Sequence, residues 1–245
     1  MKIVSFKLAE SRPLTPNISL IRLSGDTSGI RLPGEFVDVA VPGHFLRRPF
    51  SVMNWDPGTL ELLIARVGSG TTLLQNLPIG TEMEIITGLG HGFTLEDAGE
   101  HPVLVGGGTG ISPLLGLAKR LYEEDRRPTA VLGFRTGEDV CCVERFQAFC
   151  GETVVFTEDG SKGLKGRVTD AFALKSCTKL YSCGPESMLR ALCFVCKAPG
   201  EFSMEARMGC GFGACMGCSI QTASGMRRIC KDGPVFRKEE LLWDG

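Results

Sequence analysis

Only three histidines occur among the 245 residues, and His44, His91 and His101 lie in separate loops with no ligand spacing between them. That distribution argues against a histidine-based metal centre. An excess of one charge is missing as well. The 27 Lys+Arg and 28 Asp+Glu leave a net charge of -1, so no basic field is present to draw in nucleic acid or an anionic membrane. No stretch of about 18 uncharged apolar residues, the length a membrane-crossing helix needs, occurs anywhere. The opening Met1-Lys2-Ile3-Val4-Ser5-Phe6 lacks the apolar run of about 7–15 residues found in secretory signals. These absences predict a cytoplasmic chain with no nucleic-acid or membrane partner. There is also no internal repeat or low-complexity tract. A content of 43% hydrophobic and 22% charged residues is ordinary for a folded chain, and the length suits one large domain or two of about 100–150 residues.

Cysteine, by contrast, is abundant. Eleven cysteines, an odd number, argue against a fully paired disulfide framework, and in a reducing compartment thiols persist as thiols or as metal ligands. Four of them form the strongest motif in the sequence: Cys210, Cys215 and Cys218 in C-x4-C-x2-C spacing, with Cys230 following. This is the arrangement of plant-type [2Fe–2S] sites. Gly209, Gly211, Gly213 and Gly217 interleave the cysteines, supplying a backbone able to curl around a cluster. A structural zinc site ordinarily shows two C-x2-C-like pairs, and only one is present. Cys141, Cys142, Cys150, Cys177, Cys193 and Cys196 lie in helix-like or apolar surroundings, and most of them are expected to be small buried hydrophobes.

Along the chain the pattern changes twice. Up to about residue 87, short β-branched runs at 18–23, 35–41, 48–53, 59–67 and 82–87 alternate with Gly/Pro turns, predicting a small antiparallel barrel or sandwich with one short helix at 71–77. From residue 102, strand-like segments (103–105, 130–134, 153–156, 180–183) alternate with helix-like ones (111–124, 143–149, 168–173, 186–196), predicting a parallel α/β sheet. Past Pro199-Gly200 the segment is dense in Cys, Gly and Met. The expected architecture is therefore multidomain α+β: a β-barrel over 1–97, an α/β nucleotide domain over 98–200 and a small cluster-binding domain over 201–245.

Phosphate sites are suggested at two places. Gly106-Gly107-Gly108-Thr109-Gly110-Ile111-Ser112-Pro113 sits between a strand and a helix, where free N–H groups and the helix dipole favour anions; Ser112 is the expected N-cap and Pro113 the first helical residue. Proline replaces the third glycine of the usual dinucleotide fingerprint. Gly68-Ser69-Gly70-Thr71-Thr72 opens the short helix in the same manner. Arg47-Arg48-Pro49-Phe50-Ser51 puts a basic residue, a proline and a hydroxyl on one strand. Cys183-Gly184-Pro185-Glu186 ends the last sheet strand, at the edge where parallel sheets bind ligands.

Taken together, Arg48 to Ser51, Gly68 to Thr71, Gly106 to Pro113, Tyr181 to Pro185 and the four late cysteines resemble the ferredoxin–NADP reductase superfamily. Their order is most similar to the electron-transfer subunits of class 1B dihydroorotate dehydrogenases. The resemblance implies a barrel that holds FAD, with Arg48, Pro49, Phe50 and Ser51 in contact with it, Leu63, Ile64 and Ala65 beside the flavin, and Gly70 and Thr71 at its pyrophosphate. It implies NAD at Gly108, Thr109 and Gly110, with Cys183 and Gly184 on the nicotinamide side, and a [2Fe–2S] cluster on Cys210, Cys215, Cys218 and Cys230. It further implies an FMN-containing dihydroorotate dehydrogenase partner in a heterotetramer with two copies of each chain, serving pyrimidine biosynthesis. No residue set here looks able to deprotonate a carbon acid, which fits a subunit that does not itself oxidise dihydroorotate. A reductase subunit serving ferredoxin or a hydrogenase-like partner, and a zinc-stabilised regulatory module, are the alternatives. Arg135, Glu138 and Asp139 leave NAD and NADP unseparated, and NAD rests on the resemblance.

Overall fold

The computed structural model describes residues 1–243. Six strands, β1 (Lys2–Pro13), β2 (Ile18–Ser24), β3 (Phe36–Val39), β4 (Arg48–Asp56), β5 (Thr59–Ala65) and β6 (Glu82–Leu89), close an antiparallel barrel in the order β1-β2-β5-β4-β3-β6. Period-two patterning sets the walls: Leu60, Leu62 and Ile64 of β5 join the barrel core, whereas Leu63 and Ala65 face outward into a second apolar cluster. Helix α1 (Ser69–Gln75) leaves β5 through Gly68 as its N-cap.

The second sheet is built from β7 (Pro102–Gly107), α2 (Ile111–Glu123), β8 (Thr129–Phe134), α3 (Val143–Gln147), β9 (Glu152–Thr157), β10 (Leu164–Lys165), β11 (Lys179–Cys183), α4 (Glu186–Val195) and β12 (Gly200–Ser203). After a hairpin of β13 (Ser219–Thr222) and β14 (Gly225–Arg228) and a turn of helix α5 (Ile229–Asp232), the chain returns as β15 (Val235–Arg237). The sheet order is β10-β9-β8-β7-β11-β12-β15, parallel except for β15, which runs antiparallel to β12. The cysteine-rich segment is therefore a loop-and-hairpin excursion whose two ends, β12 and β15, pair with each other at one edge of this sheet. Neither of these two short strands is among those expected from the sequence.

Two sequence expectations fail locally. Residues 168–173 form no α-helix but two short 3-10 turns, Val168–Asp170 and Phe172–Lys175. The Asp170 carboxylate accepts the Arg167 N–H at 2.9 Å and closes a turn there instead. At α2 the N-cap is Gly110 rather than Ser112, because the chain enters through a 3-10 turn over Gly108–Gly110. Ser112 is thereby inside the helix, and its hydroxyl donates to the Ser51 carbonyl of the barrel at 3.4 Å. Pro113 falls one position further in than N2, still within the first turn where N–H groups lack helical partners.

Barrel and sheet share one hydrophobic core. Met53, Leu63 and Leu20 from the outside of the barrel pack with Leu114, Leu117 and Leu104. Helix α2 lies so close to β4 that a side chain at Gly116 would stand 3.1 Å from the Met53 carbonyl. Charged groups reinforce the joint: buried Glu61 of β5 pairs with Arg22 at 3.0 Å and with Arg145 of α3, and buried Lys179 of β11 meets Asp97 at 2.8 Å and Glu201 at 3.2 Å. No described helix is long and apolar enough to cross a membrane.

Candidate functional site

A cavity of about 300 Å³ opens where barrel, sheet and cysteine-rich segment meet. Its barrel wall is Arg48, Pro49, Phe50, Ser51, Leu63, Ala65 and Thr71; Thr109 and Ser112 close it from the sheet, and Met204, Glu205 and Met208 from the segment that leads to the cysteines. Most residues expected to meet a flavin are brought together here. Ile64 and Gly70 are not among its lining residues; the Ile64 side chain belongs to the barrel core and is 1% exposed, while its carbonyl accepts from the Gln75 amide at 2.8 Å. Gly70 lies against the Arg48 guanidinium, and a Cβ there would stand 3.1 Å from Nε. The Thr71 hydroxyl is committed locally, accepting the N–H groups of Val67 and Gly68 at 3.0 and 3.1 Å and so fixing the turn into α1.

The glycines of the second loop have distinct reasons. Gly108 is left-handed (φ 55°) with nothing near its Cβ position, leaving the turn open to a ligand at the start of α2. Gly110 is required by packing, since a Cβ would fall 2.3 Å from the Cys183 carbonyl. The same close approach brings the end of β11 to this loop, with Gly184 against the Gly107 backbone. Cys183 is completely buried, and burial, with the nearby Glu205 charge adding to it, pushes its thiol above the ordinary range. Glu205 itself was not singled out by the sequence; its exposed side chain lines the cavity, and partial withdrawal from water there pushes its carboxyl up. Its one visible signal is an acid standing in the Met-rich stretch Met204 to Met208.

The four late cysteines stand as two contacting pairs, Cys210 with Cys215 and Cys218 with Cys230. Among the described residues no group of three or more His, Cys, Asp or Glu side chains is gathered about one point. Two thiolates for each of two irons fit this pairing. The loop favours thiolates: Cys210 Sγ accepts the N–H groups of Ala214 (3.2 Å) and Cys215 (3.4 Å), and Cys218 Sγ that of Cys230 (3.4 Å). Burial works to raise the Cys210 thiol, but the N–H groups of Cys215, Phe212 and Ala214 outweigh it and bring it down to about 6. Cys230 is pushed up to about 12 by burial and its Cys218 neighbour. Gly211 (φ 75°), Gly213 (φ 94°) and Met216 (φ 62°) supply the left-handed turns of the wrap. Cys215 is exposed, whereas Cys218 and Cys230 are buried in the apolar cluster that contains Phe36, which also lines the cavity. Of the other six cysteines, Cys141, Cys142, Cys150 and Cys196 are buried and Cys177 and Cys193 half-buried.

Comparison with known proteins agrees with this geometry. Residues 205–242 match the iron–sulfur cluster binding domain of dihydroorotate dehydrogenase B, and residues 104–193 the oxidoreductase NAD-binding domain. The dihydroorotate dehydrogenase B (NAD(+)) electron transfer subunit of Bacillus caldolyticus is 42% identical over 207 residues, 80% of each chain. The chain belongs to this family. A second member, from Geobacillus sp. (strain WCH70), is 38% identical across 99% of both chains. Among solved structures, an NADH-dependent reduced ferredoxin-NADP oxidoreductase studied for flavin-based electron bifurcation superposes with a TM-score of 0.87 at 27% identity, covering 97% of this chain and 90% of that one. The resemblance seen in the sequence is thus borne out. So is the expected architecture of barrel, parallel sheet and carboxy-terminal cluster segment. As an electron transfer subunit, the chain works with a catalytic partner.

Proposed function

We propose that this chain passes electrons from the FMN of a dihydroorotate-oxidising partner, through a [2Fe–2S] cluster and FAD, to NAD+, in an assembly with two copies of each chain. The observation that carries this reading is the single cavity walled by the barrel strand, the phosphate loop and the segment entering the cysteine motif, because three carriers exchanging electrons must lie close together. In the proposed division, residues 1–97 hold FAD, 98–200 receive NAD and 201–245 hold the cluster. Bound there, FAD couples hydride exchange with nicotinamide to the single electrons carried by the cluster.

The chain's own residues bind and orient. Arg48 and the Gly70 backbone hold the FAD pyrophosphate, with Thr71 fixing the turn; Pro49, Phe50 and Ser51, with Leu63, Ala65 and the Ile64 backbone, border the ring. Gly108, Thr109 and Gly110 receive the NAD phosphates at the start of α2. Gly184 shapes the nicotinamide side, and Cys183 stands buried behind it. Cys210, Cys215, Cys218 and Cys230 ligate the cluster, the exposed Cys215 edge facing the partner and the buried pair facing the flavin.

Anaerobically purified protein should show flavin absorbance, a reduced-cluster EPR signal and about two irons per chain; stoichiometric zinc without iron or flavin sinks the reading. Co-expression with an FMN-containing dihydroorotate dehydrogenase chain should give NAD-dependent orotate formation. Reduction of dyes but never of NAD+ counts against it. The close superposition on the ferredoxin-NADP oxidoreductase favours, as a second reading, a subunit serving ferredoxin or a hydrogenase-like partner. Co-purification with a ferredoxin-dependent chain in place of a dihydroorotate-oxidising one would decide for it.

A further inference from the structure

The barrel wall nearest the cysteine motif holds a carboxylate that the fold does not need. In β3, Val37 and Val39 point into the barrel core, and Asp38 lies on the opposite face, paired across the strands with Pro49 of β4 and Ile86 of β6. Asp38 is 3% exposed, and its Oδ1 has no hydrogen-bond partner. Its Oδ2 occupies the space a side chain at Gly211 would take, 2.6 Å from that Cβ position, so it backs directly onto the residue that follows Cys210. Neighbouring cations do not neutralise it by contact. Arg47 bonds to the Asp38 and Glu84 carbonyls and the Glu84 carboxylate, and Arg48 to the carbonyls of Leu46 and Arg47. Burial pushes the Asp38 carboxyl up to about 6 against the attraction of Arg47 and Arg48, which leaves it ionised at neutral pH. A buried charge without a paired counter-ion is destabilising, and such groups collect where function requires them.

We propose that Asp38 sets the reduction potential of the cluster, its buried negative charge between the flavin-binding strand and the Cys210 loop disfavouring the added electron. The effect is electrostatic and acts through the loop; Asp38 is not a ligand. It biases electrons arriving at the cluster onward toward the flavin. This inference rests on the four cysteines holding a [2Fe–2S] cluster.

The test is an anaerobic redox titration of the full chain, followed by EPR and visible absorbance, for the wild type, Asp38→Asn and Asp38→Glu. Removing a unit charge at about 10 Å in a medium of effective dielectric about 20 changes a one-electron equilibrium roughly tenfold. Asp38→Asn should therefore raise the reduced-to-oxidised ratio of the cluster at fixed solution potential about tenfold, or about 59 mV. Asp38→Glu, which keeps the charge, should titrate with the wild type. If the Asn variant loses its iron, Asp38→Ser, also uncharged, takes its place. Coincident titrations of the wild type and the uncharged variant overturn the proposal. So does a shift in the Glu variant as large as in the uncharged one, which would trace the effect to packing. Iron-free wild-type protein would overturn the cluster assignment itself, an outcome read before any variant is compared.

Discussion

Individual residues here are constrained by backbone approach as much as by chemistry. Gly110 is the clearest case: the end of β11 leaves no room for a methyl group, which would stand 2.3 Å from the Cys183 carbonyl. Gly110→Ala should destabilise the chain by about 3 kcal/mol, the upper end for overpacking because the clash is with backbone. In urea titrations it should unfold early, and its NADH-dependent dye reduction should fall while flavin absorbance remains. The four late cysteines, proposed as the cluster ligands, differ in their thiol chemistry. In iron-free protein at pH 7, iodoacetamide should label Cys210 well before Cys230, since one thiol is held down to about 6 and the other pushed up to about 12. Equal labelling, read by mass spectrometry, would contradict the hydrogen-bonding pattern of the loop. Cys218→Ser should abolish the EPR signal and leave the flavin in place, because Cys218 belongs to the inner pair and not to the cavity wall.

Between elements, the decisive contact is the one that seats the nucleotide sheet on the barrel. Burial works to raise the Glu61 carboxyl, but its bonds from Arg145 of α3 and Arg22 of β2 outweigh that and hold it below the usual range. Since Arg145 is 30% and Arg22 42% exposed, the loss on Glu61→Gln is smaller than for a fully buried pair, about 1–3 kcal/mol. A carboxyl lowered on folding stabilises above its unfolded pKa, and that stabilisation is lost as the pH falls through the folded value. The difference between wild type and Glu61→Gln in urea midpoint should therefore be full at pH 7 and shrink once the pH drops below about 4.5. A gap that stays constant into acid would show that shape, not charge, made the contact. Elements rich in β-branched residues were legible in the sequence, as were the strand-loop-helix units. The α2 cap was not, because Gly110 was selected by the approach of β11, a partner some seventy residues away in the chain, and not by local capping preference.

For the molecule as a whole, the cysteine-rich excursion is anchored at both ends in the nucleotide sheet through the β12–β15 pair. Removing iron should accordingly loosen residues 205–232 and leave barrel, sheet and flavin intact. Hydrogen exchange on iron-free protein should show protection lost in that segment only; collapse of protection in β7 and β11 would mean the cluster holds the entire fold together. The C-x4-C-x2-C spacing with interleaved glycines carries its reading within a few residues, because ligand spacing and backbone freedom are local properties, whereas the Gly-rich turn before α2 and Arg48-Pro49-Phe50-Ser51 take theirs from the order of motifs along the whole chain. Three things were settled only by folding. Arg48 to Ser51, Thr109 with Ser112, and Met204 with Met208 line one cavity because the outer face of the barrel and the α2 face of the sheet share an apolar core. Ile64 turns its side chain away from that cavity because strand alternation puts it inside the barrel. Asp38, unremarkable in the sequence, becomes a buried carboxyl, and Glu205 comes to line the cavity, because such placement depends on which distant segments pack around a residue, and no local pattern encodes that.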